Sequence, residues 1–169
     1  IGPEENIVIP SKVTTDVDPE GELVIVIGQL AKNVSEEDAM DYVWGFTIGN
    51  DVSARDIQTR DGQWARAKGF DTFCPLGPWI ETEFVPDGQI LESRIDGETK
   101  QQASIDLMIH DVPKIISYVS QNMTLLPGDV ILTGTPAGLG GFLDGQTVDI
   151  TIPGIGTLSN PARNRDDRA

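Results

Sequence analysis

The chain has a single cysteine and a single histidine in 169 residues. One cysteine excludes an intrachain disulfide and any thiolate zinc cluster. One histidine excludes the multi-histidine metal sites. A bound metal must then take mostly oxygen ligands, which suits magnesium, manganese or calcium. Basic residues are also scarce: 12 against 27 acidic ones give a formal net charge of -15. A nucleic-acid partner needs a basic footprint on phosphate, and an anionic membrane surface asks for the same, so neither is expected. No apolar run reaches the roughly 18 to 20 residues of a membrane span. No leader pattern stands at the start, so a cytoplasmic protein is the expectation.

What is present points to one folded domain. Hydrophobic residues make up 38% of the chain, enough for a sizeable core. Eighteen glycines and eleven prolines favour a turn-rich, mainly β chain over a helical one. Residues 20–28 (EGELVIVIG) carry the strongest strand signal, being rich in β-branched side chains. Further strands are expected at 7–10, 46–52, 77–83, 130–133, 147–152 and 155–158. Asp96-Gly97 suits the positive φ angles of a type I′ hairpin turn. Two short helices are expected. One starts from Ser35 as N-cap, with Asp38 three residues on, and runs to about Trp44. The other starts at Asp111 as N-cap, with Pro113 in its first turn, and runs to about Asn122. Residues 53–70 have few apolar anchors and read as a polar loop, with Trp64 tying it to the body. Together these elements predict a β-sheet roll or sandwich with two short helices.

Candidate chemistry begins at the head of the central strand. Side chains two apart on a strand share a face, so Glu20 and Glu22 point the same way. Beyond them both faces are apolar, so the strand enters a core with two carboxylates at its mouth. Such a pair is either a solvated strand start or raises its own pKa and calls for a cation. Asp51 ends the next apolar run, beside a polar loop, and is placed either as a turn residue or as a third ligand. Three carboxylates with open positions make an oxygen site suited to magnesium. The loop that follows carries Arg55, Arg60, Arg66 and Lys68, balanced by aspartates. An acidic protein repels anions, so Arg55 and Lys68 are the cations available to hold an anionic substrate. Gly134-Thr135-Pro136-Ala137-Gly138 reads either as a turn or as a set of backbone N–H groups and a hydroxyl facing a carboxylate. It lacks the lysine and spacing of a P-loop. His110 reads as structural, without a Gly-x-Ser-x-Gly elbow to serve. Cys74 reads as a small buried residue.

Several of these stretches, in this order, resemble the fumarylacetoacetate hydrolase superfamily. They are the strand at 20–28, Gly49-Asn50-Asp51-Val52-Ser53-Ala54-Arg55-Asp56, and Gln63-Trp64-Ala65-Arg66-Ala67-Lys68-Gly69-Phe70-Asp71. Leu125-Leu126-Pro127-Gly128-Asp129, Thr133-Gly134-Thr135-Pro136-Ala137-Gly138 and the run from Gly154 to Pro161 also match. The resemblance covers residues 1–162 and leaves a charged tail at 163–169. It implies a mixed β-sandwich roll, dimeric, with one divalent cation per site. Its metal carboxylates fall on Glu20, Glu22 and Asp51, its active-site lysine on Lys68, and its substrate contacts on Arg55, Gln58 and Thr135. The implied cofactor is Mg2+, with Mn2+ or Ca2+ as alternatives. Members carry an upstream lid with a His and a Glu, so a catalytic core without its lid is expected here.

The implied substrates are 2-oxo and 1,3-diketo acids. The first expectation is hydrolysis of a C–C bond in an acylpyruvate- or fumarylpyruvate-like compound through a metal-stabilised enolate. Oxaloacetate decarboxylation and isomerisation of a hydroxymuconate-type diacid use the same core. A reading from another class is a non-catalytic β module with a structural calcium site. Lys68 separates the two, because an enolate gains from a nearby cation and a structural calcium ion does not.

Overall fold

The computed structural model describes residues 1–138 and 140–165. Among them the order is β1 (Ile7–Ile9), β2 (Val17–Asp18), β3 (Gly21–Ile27), β4 (Val43–Asn50), β5 (Ser53–Ala54), α1 (Arg55–Asp61), α2 (Ala65–Lys68), β6 (Leu76–Glu81), β7 (Ile90–Ile95), β8 (Glu98–Ser104), α3 (Val112–Asn122), β9 (Val130–Leu132), β10 (Thr147–Ile152) and β11 (Gly156–Asn164). One sheet has the order β6-β4-β3-β9 and the other β1-β11-β10-β7-β8, with a small β2-β5 pair beside them. All pairings are antiparallel except β1 with β11. The mainly β roll expected from sequence is the observed architecture, with three short α-helices where two are expected.

Strand β3 is buried along its whole length. Leu23, Ile25 and Ile27 join one core cluster with Leu91, Ile95 and Ile150 of the other sheet. Burying each such side chain stabilises the fold by roughly 1.5–3 kcal/mol. Gly21 shares that inward face, and a Cβ there would lie 3.1 Å from Ile150 Cγ2 and 3.2 Å from Leu91 Cδ2. The two sheets therefore approach closely at Gly21, between the two glutamates. Strand β3 is central because both of its edges are paired, with β4 and with β9.

Local signals at the turns hold. Asp96 and Gly97 have φ of 49° and 83°, so the β7–β8 hairpin turns with both central residues at positive φ, as Asp-Gly allows. Helix α3 is capped by Asp111, whose carboxylate accepts the Lys114 N–H at 3.0 Å. Two segments differ from expectation. The helix expected from Ser35 to Trp44 is only a 3-10 turn at Ala39–Tyr42. The Ser35 hydroxyl accepts the Asp38 N–H, but Val43 and Trp44 are drawn into β4, where pairing with β3 outweighs local helix preference. The polar loop expected at 53–70 instead holds β5, α1 and α2. Only Ile57 and Ala67 of these helices are buried, so no apolar periodicity marks them. Gly62, with φ of 68°, closes α1 by donating its N–H to Gln58 O.

Two burial expectations are corrected. Trp64 is 60% exposed, and Ile57, Ala67 and Phe73 anchor the segment instead. Cys74 is exposed because its neighbour Phe73 takes the interior position. The closing strand continues past residue 158 to Asn164, and 166–169 of the expected tail lie outside the described residues. No helix among the described residues is long and apolar enough to cross a membrane.

Gly49 faces Glu22 across the β3–β4 ladder, and a Cβ there would lie 2.6 Å from Val24 Cγ2. Gly49→Ala is expected to cost about 1–3 kcal/mol by overpacking, read as a lower urea midpoint with unchanged slope. An unchanged midpoint would show that the β3–β4 contact is slack.

Candidate metal centre

The register of β3 against β4 brings the three carboxylates together. Gly21 pairs with Asn50 and Glu22 with Gly49. The Asp51 N–H continues the ladder by donating to Glu20 O at 2.9 Å. Asp51 thus stands opposite Glu20, and directly opposed residues share a face. One carboxylate oxygen from each of Glu20, Glu22 and Asp51 lies within 4.8 Å of the other two. The two glutamates are buried and Asp51 is half-buried. The expected trio, separated by up to 31 positions, is one cluster.

The expected cations meet it. Lys68 Nζ donates to Glu20 Oε2 at 2.8 Å, Asp51 Oδ2 at 2.5 Å and Ser53 Oγ at 3.0 Å. An ammonium has three donors, so Lys68 is fully engaged. Helix α1 presents Arg55, whose Nε donates to Asp18 at 2.7 Å and whose Nη2 is bonded to Glu20. Arg55 Nη1 donates to Gln58 Oε1 at 2.8 Å, one turn along the helix. That leaves the Gln58 amide N–H2 group without a partner among the described residues. The exposed Trp64 ring centroid lies 5.8 Å from Lys68 Nζ. The third wall is the segment after β9. Gly134 N–H donates to Glu22 Oε2 at 2.6 Å, and Thr135 Oγ1 donates to Gly21 O at 2.9 Å.

Burial pushes the Glu22 carboxyl up to about 7. The Gly134 N–H opposes this, while the charges of Asp51 and Glu20 add to it. Burial also raises Asp51, against its bond to Lys68. Burial works against the Lys68 ammonium, but its bonds to Asp51 and Glu20 outweigh that, so it stays charged above the usual lysine range. Among the described residues, four carboxylates, counting Asp18, face two cations, Arg55 and Lys68, a local balance of minus two. A divalent cation cancels that balance and would remove the proton from Glu22. The all-oxygen donor set, the spacing and the missing charge therefore fit a hard divalent ion.

Four further residues take part in this cluster without having been singled out as site residues, although Asn50 and Ser53 lie inside the motif at 49–56. Asp18 holds Arg55, and the period-two spacing 18, 20, 22 carries that signal. Asn50 Oδ1 accepts the Glu20 N–H at 3.0 Å, and Ser53 accepts from Lys68. Gln101 bonds Gly21 and Thr135 from the other sheet, and nothing in its polar neighbourhood in sequence marks it. A cavity of about 620 Å³ touches this site through Gly134 and Thr135. Its walls include Leu91, Ile105, Leu107, Met108 and Ile115, and His110 lies on it, exposed and apart from the carboxylates. The chemistry is assigned to the carboxylates because charge converges there and not in the cavity.

Residues 1–163 match the family described as fumarylacetoacetate (FAA) hydrolase, C-terminal. The chain belongs to that family. The protein Rv2993c of Mycobacterium tuberculosis is 57% identical over 95% of this chain and 62% of its own length. The oxaloacetate tautomerase YisK of Bacillus subtilis is 45% identical over 88% of this chain and 53% of its own. The crystal structure of 5-carboxymethyl-2-hydroxymuconate delta-isomerase from Mycobacterium smegmatis superposes with a TM-score of 0.96 at 51% identity, covering 98% of this chain and 66% of that one. Fumarylpyruvate hydrolase from Pseudomonas aeruginosa, in complex with Mn2+ and pyruvate, gives 0.90 at 31% identity, covering 98% and 74%. The chain thus spans between about half and two thirds of the length of these curated relatives.

The raised Glu22 pKa sets a pH dependence. The folded state holds that proton more tightly than the unfolded chain, so its stabilising effect is complete below about 4.5 and is lost as pH rises to about 7. The loss amounts to roughly 3 kcal/mol. A divalent cation needs the ionised form, so its stabilising effect grows over the same window. Thermal melts with Mn2+ and with a chelator should diverge more at about pH 8 than at about pH 5.5. A gap that is constant or shrinks with pH would remove Glu22 from the ligand set.

Proposed function

We propose that the chain forms the core of a divalent-metal-dependent enzyme that forms and protonates enolates of 2-oxo acids. One observation carries this reading. Three carboxylates short of positive charge sit beside a lysine kept charged by two of them. A structural calcium site gains nothing from that ammonium, whereas a developing enolate oxyanion does. A cation held by Glu20, Glu22 and Asp51 would supply Lewis acidity toward the 2-oxo oxygen. The preferred ion is Mg2+ or Mn2+, the latter accompanying pyruvate in the related hydrolase.

The chain's own residues supply the remaining functions. Lys68 places its charge beside the carboxylates that border the reacting oxygen, and its three bonds fix that charge in space. Arg55 braces Glu20 and Asp18 and turns the Gln58 carbonyl inward, which points the free Gln58 amide donors away toward an incoming carboxylate. The Thr135 N–H has no partner among the described residues and serves the same end. Keto–enol isomerisation needs only this charge and a proton carrier. Relatives at 45% and 51% identity are named as an oxaloacetate tautomerase and a hydroxymuconate isomerase, which favours that reaction. Hydrolysis of an acylpyruvate is the second reading, supported by the fumarylpyruvate hydrolase. It also requires an activated water. A homodimer in the cytoplasm is the proposed working form.

Turnover should be followed by ultraviolet absorbance with oxaloacetate, fumarylpyruvate and acetylpyruvate in parallel, with and without Mg2+. Glu22→Ala is expected to lose metal binding and activity together. Lys68→Ala should keep the metal and lower kcat by about 10²- to 10³-fold. Full activity in Lys68→Ala, or magnesium binding unchanged by calorimetry in Glu22→Ala, would sink the assignment.

A further inference from the structure

Gln101 lies on β8, in the sheet opposite the carboxylates, and is 1% exposed. Its amide is engaged at both ends. Oε1 accepts the Gly21 N–H at 3.1 Å, while Nε2 donates to Thr135 Oγ1 at 2.8 Å and to Pro136 O at 2.7 Å. Gly21 separates Glu20 from Glu22, and its carbonyl accepts from Thr135. The Gly21 N–H and C=O are therefore both tied to one Gln101–Thr135 pair. A hydroxyl has one proton. Because Gln101 takes an accepting lone pair of Thr135, that proton is committed to Gly21 O. The hydroxyl is left able only to accept, and the adjacent Gly134 N–H is kept on Glu22.

Burying an amide in the inter-sheet core costs free energy unless its bonds are made. Packing alone would be met by an aliphatic side chain like the neighbouring Leu91 and Ile150. Gln101 also does nothing for its own sheet's polar groups. Ser93 pairs with it across β7–β8, and the Ser93 hydroxyl is buried without a hydrogen-bond partner. All three side-chain bonds of Gln101 go to the strand head and the segment that frame the metal centre.

We propose that Gln101 is a positioning residue for this site, fixing residues 134–136 against the head of β3 and setting the direction of the Thr135 proton. Its effect on ligand binding rests on the functional reading above, but its effect on the segment does not. Amide exchange by NMR tests the second part. In Gln101→Met, exchange at Gly134 N–H should be about tenfold faster. Gly134 is bonded to Glu22 and not to Gln101, so loss of the amide acceptor alone would not unprotect it. Unchanged protection of Gly134 overturns the proposal. Gln101→Asn, whose shorter amide cannot span Gly21 and Thr135 together, gives the same test should the Met variant not fold.

The ligand part is read as the Kd of pyruvate with saturating Mn2+. Gln101→Met and Thr135→Val should each weaken it about tenfold, and the double variant little more than either alone. Fully additive losses overturn the proposed route through Thr135. Gln102→Leu, the exposed neighbour, should change neither readout. Absence of Mn2+ and pyruvate binding in the unmodified protein would instead refute the functional reading, with the exchange result still deciding the role of Gln101.

Discussion

The antiparallel pairing of β3 with β4 is the contact on which the site depends. It sets Asp51 opposite Glu20 and leaves a glycine opposite Glu22. A one-residue slip would turn every side chain of β3 over, sending the glutamates toward the inter-sheet core and Leu23, Ile25 and Ile27 onto the face now held by Val24 and Val26. The apolar burial of Leu23, Ile25 and Ile27 prevents that slip, so the hydrophobic core holds the carboxylates in register. Stability and chemistry are linked through one ladder. The second sheet adds to this by packing against Gly21, where the lack of a side chain lets Leu91, Ile150 and Gln101 reach the strand head.

The site is also a case of charge kept short of neutrality. Burial raises the proton affinity of Glu22 and Asp51, and the neighbouring carboxylate charges add to it. Arg55 and Lys68 relieve part of the repulsion, and each is carried by one of the two short helices that follow β5. They fall short by two charges. That deficit fits a divalent ion, and burial, with the charges of Asp51 and Glu20 adding to it, strengthens the hold of Glu22 on its proton. The net charge of -15 is spread over the solvated surface, whereas the local field is set by a few groups.

Much of this was legible in particular residues. The alternation in EGELVIVI marks a two-faced buried strand with both glutamates on one side, and Asp-Gly and Asp111-Val112-Pro113 mark a turn and a cap through their own backbone chemistry. Helices α1 and α2 were not legible, because their buried anchors are single residues and their other contacts are polar, such as the Arg66–Asp61 pair at 2.7 Å. The helix expected from Ser35 to Trp44 shrinks to the 3-10 turn at Ala39–Tyr42 because Val43 and Trp44, part of its apolar face, belong to β4, a pairing that sequence periodicity does not reveal. Trp64 and Cys74 were misplaced for a related reason: residue type alone does not say which of two neighbours turns inward.

The sequence by itself determined the class of chemistry. Without histidine and cysteine clusters, a metal must be bound by oxygen, and strand parity names two candidate ligands. Position in the chain adds Asp51 as a candidate third ligand and Arg55 and Lys68 as candidate cations, and the family resemblance implies the same residues together with Gln58 and Thr135. Only the tertiary structure decided how these groups are used. It engaged all three Lys68 donors, bound Arg55 to Glu20 and Asp18, raised Glu22 by burial, and brought Gln101 to Gly21 across 80 positions. The physical reason is that ligand identity is a property of residue type and local spacing. Charge balance, proton affinity and hydrogen-bond direction depend on which groups from distant segments are packed together away from water.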